Sequence, residues 1–270
     1  MSTNRKKLTA AVGQLEEHLQ WLKEEGARTV AADPKILTIA AAAPAPISKP
    51  WKSEPLKVPS LGKTAAPAFQ AFENNPELAA IAARIAVCQK CVLGKTRKNT
   101  VPGQGTSQPE IMFVGEGPGE DEDRQGLAFV GRAGQLLTRM IIRMGLTRDQ
   151  VFIGNIVKCR PPGNRAPLPD EMAACLPYLR EQIAILKPKV IVCLGATAVK
   201  GLLNNQLGIT KLRGHWQKYE GVDVMPTFHP SFLLRGGGED KARWWEVWED
   251  LVAVLKRVGR EPPSQKTTPG

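Results

Sequence analysis

The sequence predicts an α/β domain whose mainly parallel sheet is covered by helices on both faces. Short apolar runs that end in glycine or polar residues occur four times: "IMFVGEG", "VFIGNIVKC", "KVIVCLG" and "VDVMPTFHP". Helical patterns separate these runs, and a last one, "EDKARWWEVWEDLVAVLKRV", follows them. Strands that alternate with helices are typical of parallel sheets with both faces buried.

The N-terminal part of the chain has a different composition. A charged amphipathic helix is expected within residues 1–28, where Leu8, Leu15 and Leu19 recur at helical spacing. Residues 29–75 are rich in Ala, Pro and Lys and lack the apolar surface that would offset ordering, so we predict a disordered linker. The globular domain is expected at 76–258, followed by a flexible tail at 259–270. The helix is a candidate site for a protein partner, and a solubilising extension is the alternative.

Charge and hydropathy narrow the class of partner. The formal net charge is +11, which favours a polyanion such as nucleic acid or an anionic membrane. No apolar run reaches the roughly 18 residues of a membrane span. Glu16 and Glu17 interrupt the N-terminal segment, so it does not resemble a signal peptide. We therefore expect a cytoplasmic monomer that does not associate with membranes.

Four of the five cysteines are candidate metal ligands. Cys88 and Cys91 form "CQKC", Cys159 follows the second predicted strand, and Cys175 lies on the next helix. Cys193 lies within an apolar strand, which favours an inert core thiol. Four thiolates can bind either a tetrahedral zinc ion or a cubane iron–sulfur cluster. The residues alone do not decide between these two cofactors, and four free thiols are the third alternative.

An acidic, glycine-rich turn follows the first strand, with the sequence "GEGPGEDEDRQG" at 115–126. Its carboxylates would repel phosphate at the start of a helix, which disfavours a dinucleotide loop and favours a neutral planar ligand. Glu116, Asn155 and His229 all end predicted strands, where parallel sheets bind their ligands. The amide of Asn155 offers a donor beside an acceptor, which matches the edge of a pyrimidine.

Three longer motifs and the four cysteines occur together in one order: "GEGPGEDED…FVGRAGQLL", "NIVKCRPPGNRAP" and "FHPSFLLR". Over residues 76–258 this combination resembles the family 4 uracil-DNA glycosylases, the iron–sulfur branch of their superfamily. The resemblance implies a three-layer α/β/α sandwich around a central four-stranded mainly parallel sheet. It implies hydrolysis of the N-glycosidic bond of deoxyuridine in DNA, which starts base excision repair. It also implies a [4Fe-4S] cluster on Cys88, Cys91, Cys159 and Cys175, in preference to zinc.

The resemblance further implies which residues form the uracil site: Glu116, Gly117, Glu122, Phe129, Asn155 and His229. In this hypothesis Phe129 stacks on the base, Asn155 pairs with its N3–H and O4, and Glu122, or the backbone that holds it, excludes the methyl group of thymine. His229 and the backbone N–H groups near Glu116 and Gly117 are the candidate donors to uracil O2 as negative charge develops there. Glu116 steadies the sugar cation or positions water, and Asn164 is a second candidate for holding water.

The uracil-containing DNA partner implies further contacts outside the pocket. The "HPSFLLR" segment is expected to enter the duplex when the base leaves the stack, with Leu233, Leu234 or Phe232 filling the gap. Ser231 of the same segment is expected to contact DNA. The expected phosphate-binding residues are Arg132, Arg160, Arg165 and Arg235. The cluster is expected to brace the "CRPPGN" loop and the first helix and not to perform redox chemistry. Because Cys159 lies four residues after Asn155, loss of the cluster is expected to disturb the pocket.

Two departures from the family pattern matter. The stretch "GEGPG" lacks the Asp or Asn with which other branches activate water, so the water-activating group stays open. No histidine-containing insertion follows the first motif, which favours turnover over covalent trapping. Two rival functions remain: a protein that senses uracil in DNA without cleaving, and an iron–sulfur electron-transfer protein.

Overall fold

A six-stranded sheet lies at the centre of the part of the chain that the computed structural model describes, residues 70–234 and 240–263. The strands lie side by side in the order β1-β3-β2-β4-β6-β5. The N-terminal helix predicted for 1–28 and the linker up to residue 69 lie outside the described residues. The strand bounds are β1 Gln104–Gly105, β2 Ile111–Gly115, β3 Phe152–Asn155, β4 Val190–Leu194, β5 Gln217–Tyr219 and β6 Val222–Thr227.

The four central strands are the four that the apolar runs predict, and they are parallel. The register pairs Gly115 of β2 with Asn155 of β3, and Leu194 of β4 with Thr227 of β6. Short antiparallel strands, β1 and β5, extend the two edges and were not predicted. They span two and three residues, which is too short for a period of two to be visible in sequence.

Helices cover both faces of the sheet and confirm the three-layer prediction. Along β2, Met112 and Val114 join the core on one face, whereas Ile111 and Phe113 join the core on the other. Helices α1, α2, α5 and α6 supply the first core, and α4 and α9 supply the second. The described helices are α1 Gln70–Glu73, α2 Pro76–Ala86, α3 Glu120–Gln125, α4 Arg132–Arg143, α5 Pro169–Leu186, α6 Ala196–Leu203, α7 Ile209–Leu212, α8 Pro230–Leu233 and α9 Lys241–Arg257.

The packed region extends past the predicted domain boundaries at both ends. Helix α1 lies within the predicted linker, yet Ala71 and Phe72 are buried, and Phe72 packs edge-on against Phe152 with ring centroids 6.3 Å apart. After α9, Arg260 pairs with Glu110 at 2.7 Å. A single phenylalanine in an Ala/Pro-rich stretch forms no periodic pattern. The N-terminal boundary of the packed domain is therefore visible only in the tertiary structure. Within the described residues, no helix combines the length and hydropathy that crossing a bilayer requires.

Candidate active site

The carboxyl ends of the parallel strands bring the predicted pocket residues together. Gly115 and Asn155 are paired neighbours at the ends of β2 and β3. A Cβ atom at Gly115 would lie 2.5 Å from Cζ of Phe129 and 2.6 Å from Oδ1 of Asn155. Real Cβ atoms do not approach other atoms so closely, so glycine at this position allows the ring and the amide to meet.

Asn155 is the buried polar group that indicates a ligand. Its side chain is only 1% exposed. Within the described part of the chain, its Oδ1 atom is buried and has no hydrogen-bond partner. Leaving such an acceptor unsatisfied costs about 1–3 kcal/mol, so buried polar groups without partners are uncommon. A ligand that donates a hydrogen bond to Oδ1 would remove this cost.

Phe129 is held beside His229 in a backbone conformation that favours glycine. Its φ angle is 53°, and its ring centroid lies 5.7 Å from that of His229. A Cβ atom at Gly134 would lie 1.9 Å from the carbonyl carbon of Phe129, so α4 begins tightly against this turn. Strained non-glycine residues of this kind concentrate at functional sites.

The contacts of His229 define its neutral tautomer. The residue caps α8, and its Nδ1 accepts the backbone N–H of Ser231 at 3.1 Å. Ser231 Oγ lies 2.7 Å from the same nitrogen. Because Nδ1 accepts a hydrogen bond from a backbone N–H, Nδ1 is not protonated. The neutral ring therefore carries its proton on Nε2. Nε2–H is therefore the ring's hydrogen-bond donor.

Glu116 has a partner that sequence reasoning did not identify. The hydroxyl of Thr197, in the first turn of α6, donates to Oε2 of Glu116. Glu116 is half-buried, directly after β2. Threonine in a first helical turn is common, so its sequence carried no signal for this contact. The hydrogen bond fixes the carboxylate at the same edge as Asn155.

Glu122 braces the turn that carries Phe129. Its Oε1 accepts the backbone N–H groups of Val130 and Gly131, both at 2.8 Å, and its Oε2 accepts that of Gly119 at 3.1 Å. In the same helix, the buried Asp123 accepts the N–H of Lys98 at 2.9 Å. These carboxylates of the acidic turn therefore bind backbone within the protein and have no need of a cation.

Gly117 and Asn164 occupy different surroundings. A Cβ atom at Gly117 would lie 2.7 Å from Cγ2 of Val157, so the glycine allows the loops after β2 and β3 to approach closely. Asn164 is exposed with a φ angle of 55°, and its Oδ1 accepts from Nε of Arg160 at 2.7 Å. This contact joins Asn164 to the outer loop, not to the pocket residues.

The predicted DNA-contacting residues differ in accessibility. Arg132 is exposed at the start of α4, and Arg160 is partly buried beside Glu120. Arg165 forms a two-pronged ion pair with the fully buried Glu171, at 2.6 and 2.8 Å.

The structure corrects one prediction for the DNA-inserting segment, the insertion of Leu233. Leu233 is completely buried in the core, in one cluster with residues of α4 and α9. Leu234 and Phe232 are only partly buried, and Arg235 lies outside the described residues. The expectation for insertion therefore narrows to Leu234 and Phe232.

The four candidate ligand cysteines line one cavity between α2, the loop after β3 and α5. The guanidinium of Arg97 donates to Sγ of Cys159 at 3.3 Å, and the backbone N–H of Lys158 donates to Sγ of Cys175 at 3.2 Å. Burial raises the pKa of the Cys175 thiol to about 11. Among the described residues, no three Cys, His, Asp or Glu side chains form a site for a single metal ion. Cys193 is fully buried in β4, as the sequence predicts for a core thiol.

A second buried network lies beneath the His229 loop and was not predicted. The hydroxyl of Thr227 donates to Asp250 of α9 at 2.6 Å, and Arg213 pairs with the same carboxylate at 2.8 Å. Burial raises the pKa of Asp250 to about 6, although both partners oppose the shift. Since Thr227 precedes His229 by two residues, this network anchors the end of β6.

The fold is an α/β sandwich whose candidate pocket residues lie at the carboxyl ends of its parallel strands. The model of the uracil DNA glycosylase superfamily matches residues 102–252, which is more than half of the chain. The chain therefore belongs to this superfamily, and its relatives identify the type-4 branch.

Five curated relatives carry the type-4 name, and they include the following three. The type-4 uracil-DNA glycosylase of Thermotoga maritima is 48% identical over 185 residues, which cover 67% of this chain and 94% of the relative. That of Sulfurisphaera tokodaii is 53% identical, covering 54% of this chain and 71% of the relative. That of Saccharolobus solfataricus is 50% identical, covering 57% and 76%.

Proposed function

We propose that this chain flips uracil out of DNA and hydrolyses its N-glycosidic bond, the first step of base excision repair. The observation that carries the proposal is the buried, unpartnered Oδ1 of Asn155 beside the ring of Phe129. Uracil N3–H would donate to Oδ1, and the amide Nδ2 would donate to uracil O4. Phe129 would stack on the base.

The same amide provides selectivity against cytosine. Cytosine presents an acceptor at N3 and a donor at the exocyclic amine, which reverses the pattern that Asn155 recognises. Each mismatched buried contact costs about 1–3 kcal/mol. Glu122 contributes by fixing the turn of Phe129, and we propose that this turn occupies the space of the thymine methyl group.

Cleavage requires stabilisation of a uracil anion and an electron-poor sugar. We assign His229 Nε2–H to uracil O2, because the Ser231 N–H holds the ring in the required tautomer. Donors aimed at developing charge are the largest single contribution in many enzymes. Glu116, fixed by Thr197, lies where it can steady the sugar cation or orient water. Asn164 remains a secondary candidate for holding water from the outer loop.

The four cysteines of the cavity are proposed to hold a [4Fe-4S] cluster. Its thiolate donors fit the chemistry, and the Arg97 guanidinium and the Lys158 N–H supply the hydrogen bonds that such sulfurs accept. The cluster would join α2 and α5 to the loop that follows Asn155, a structural role. Iron analysis and a brown absorption band would support it, whereas colourless protein with stoichiometric zinc would contradict it.

The DNA strand is proposed to lie over the carboxyl edge of the sheet. We propose that Arg132 and Arg160 contact phosphates and that Leu234 or Phe232 fills the gap left in the stack. Arg165 mainly holds its own loop through its ion pair with Glu171. Arg235 and Ser231 are the remaining residues proposed to contact DNA. We propose that the protein acts as a cytoplasmic monomer.

The decisive experiment is cleavage of an oligonucleotide that contains one uracil, followed by alkali. Strand breaks at uracil are expected from the wild-type protein, and tight binding without breaks would instead indicate a non-cleaving sensor. Asn155→Ala should lower kcat/KM by roughly 100-fold, since two buried hydrogen bonds are lost. Asn205→Ala removes an amide from the loop between α6 and α7 and should leave the rate unchanged. An unchanged rate in Asn155→Ala would remove this residue from its assigned role.

A further inference from the structure

A cluster of three tryptophans surrounds one arginine where α9 packs on the end of α4. The guanidinium carbon of Arg143 lies 5.0 Å from the ring centroid of Trp244, 5.4 Å from that of Trp245 and 4.9 Å from that of Trp248. The Nε of Arg143 is buried and makes no hydrogen bond to any residue that the structure describes. The aromatic faces therefore hold this cation in place, and the cation in turn fixes the indoles.

Trp245 presents an exposed aromatic surface from this rigid cluster. Its side chain is 49% exposed, and among the described residues it is the only aromatic one of the large exposed apolar side chains. The edge of its ring meets Trp244, with centroids 6.1 Å apart. An exposed indole that is already ordered loses little conformational entropy on binding, which makes it a suitable contact residue.

The start of α9 adjoins the loop that carries His229. The backbone N–H of Asp240 donates to the carbonyl of Leu233 at 2.9 Å, which joins the cap of α9 to the end of α8. The guanidinium of Arg243 lies 4.4 Å from the ring centroid of Phe232 in α8. Arg243, Trp244 and Trp245 follow one another at the start of α9, next to α8, and are here called the α9 surface.

We infer that the α9 surface binds the DNA strand that flanks the extruded uracil, with Trp245 stacked on one unpaired base. This inference rests on the proposed position of the α8 segment at the DNA. Aromatic faces beside arginines are the combination that binds single strands without sequence preference. The excess of +11 charges in the chain adds attraction for phosphate. Asp240 lies 3.5 Å from Arg243, and the exposed Glu249 follows Trp245 by one helical turn, so these carboxylates limit where phosphates can lie.

The test uses single-stranded oligonucleotides with one uracil, in which each flanking base in turn is replaced by an abasic analogue. This replacement removes the aromatic face of one base and keeps every phosphate. For the wild-type protein, kcat/KM is expected to fall roughly tenfold at one flanking position, the effect of losing one stacked base. Trp245→Leu should lose a similar factor with the intact strand and become insensitive to the abasic analogue at that position.

Two variants make the result specific. Trp245→Phe keeps an aromatic face and should retain most of the sensitivity, while Trp245→Leu keeps apolar volume without one. Leu207→Ala truncates an exposed apolar residue in the loop between α6 and α7 and should behave like wild type. The inference is overturned if Trp245→Leu has the wild-type kcat/KM with the intact strand and with every abasic strand. It is also overturned if the substitution lowers kcat/KM by the same factor for all of these strands. Failure of the proposed function is a separate outcome, in which the wild-type protein cleaves none of the oligonucleotides.

Discussion

Glycines at the ends of strands allow the side chains of the pocket to converge. Gly115 lies where any Cβ atom would collide with Phe129 and Asn155. Gly195, after β4, has a φ angle of 89°, and a Cβ atom there would lie 2.9 Å from Cβ of His229. The aromatic ring, the amide and the imidazole can therefore share one small space because their backbone neighbours have no side chains.

At the residue scale, the carboxylate of Glu122 is predicted to stabilise the fold through the backbone hydrogen bonds that it accepts. In Glu122→Gln one oxygen becomes an NH2 group that faces backbone N–H donors, so at least one of its three hydrogen bonds is lost. We expect the free energy of unfolding to fall by about 1–3 kcal/mol and KM to rise, because the turn that carries Phe129 loosens. Urea denaturation and steady-state kinetics measure the two effects.

Glu120 supplies the matched control for this prediction. It lies on the same short helix, but its side chain is 69% exposed. Glu120→Gln should therefore change neither stability nor KM appreciably. Equal effects of the two substitutions would show that the backbone contacts of Glu122 do not matter.

At the scale of elements, the packing of α9 against the sheet supports the catalytic edge. Asp250 receives hydrogen bonds from Thr227 of β6 and Arg213 after α7, so one carboxylate joins three elements. The guanidinium of Arg213 also lies 5.6 Å from the ring centroid of Phe228, beside His229. The position of His229 therefore depends on a helix that contributes no pocket residue of its own.

The raised pKa of Asp250 predicts a pH-dependent stability. Its value rises from 3.8 to about 6 on folding, so between these pH values the folded state binds more protons than the unfolded state. The contribution of this group is fully present below about pH 4 and is lost as pH rises through about 6. Melting temperatures from pH 4 to 7 should fall more steeply for wild type than for Asp250→Asn, which cannot titrate.

Asp170→Asn provides the comparison, because Asp170 is exposed in the first turn of α5. Its pH profile should follow that of the wild type. A profile of Asp250→Asn parallel to wild type across this range would contradict the assigned protonation of Asp250.

At the scale of the whole molecule, charge is separated between the surface and the interior. The chain has 37 Lys and Arg residues against 26 Asp and Glu residues. Several of its acids, among them Glu122, Asp123, Glu171 and Asp250, are buried and bound to backbone or arginine. Exposed Lys and Arg residues therefore dominate the electrostatic field that approaching DNA experiences.

The salt dependence of activity should depend on how many of these basic residues contact phosphate. A plot of log kcat/KM against log salt concentration is expected to fall, and Arg132→Gln should reduce the slope by about 0.7–0.9, the contribution of one phosphate contact. Lys189→Gln is the control, since Lys189 precedes β4 at the opposite edge of the sheet and pairs with Glu110. Identical slopes for the Arg132→Gln and wild-type proteins would exclude a phosphate contact at Arg132.

The sequence by itself determined the central strands, their parallel arrangement and the residues that end them, since apolar runs and their polar ends are local patterns. It also determined the acidic turn and the four cysteines as motifs. Tertiary structure alone decided that Glu122 binds backbone, that Leu233 is buried, that Thr197 holds Glu116, and that Asp250 anchors β6. These facts depend on contacts between residues far apart in the chain, and such contacts leave no periodic trace in one sequence.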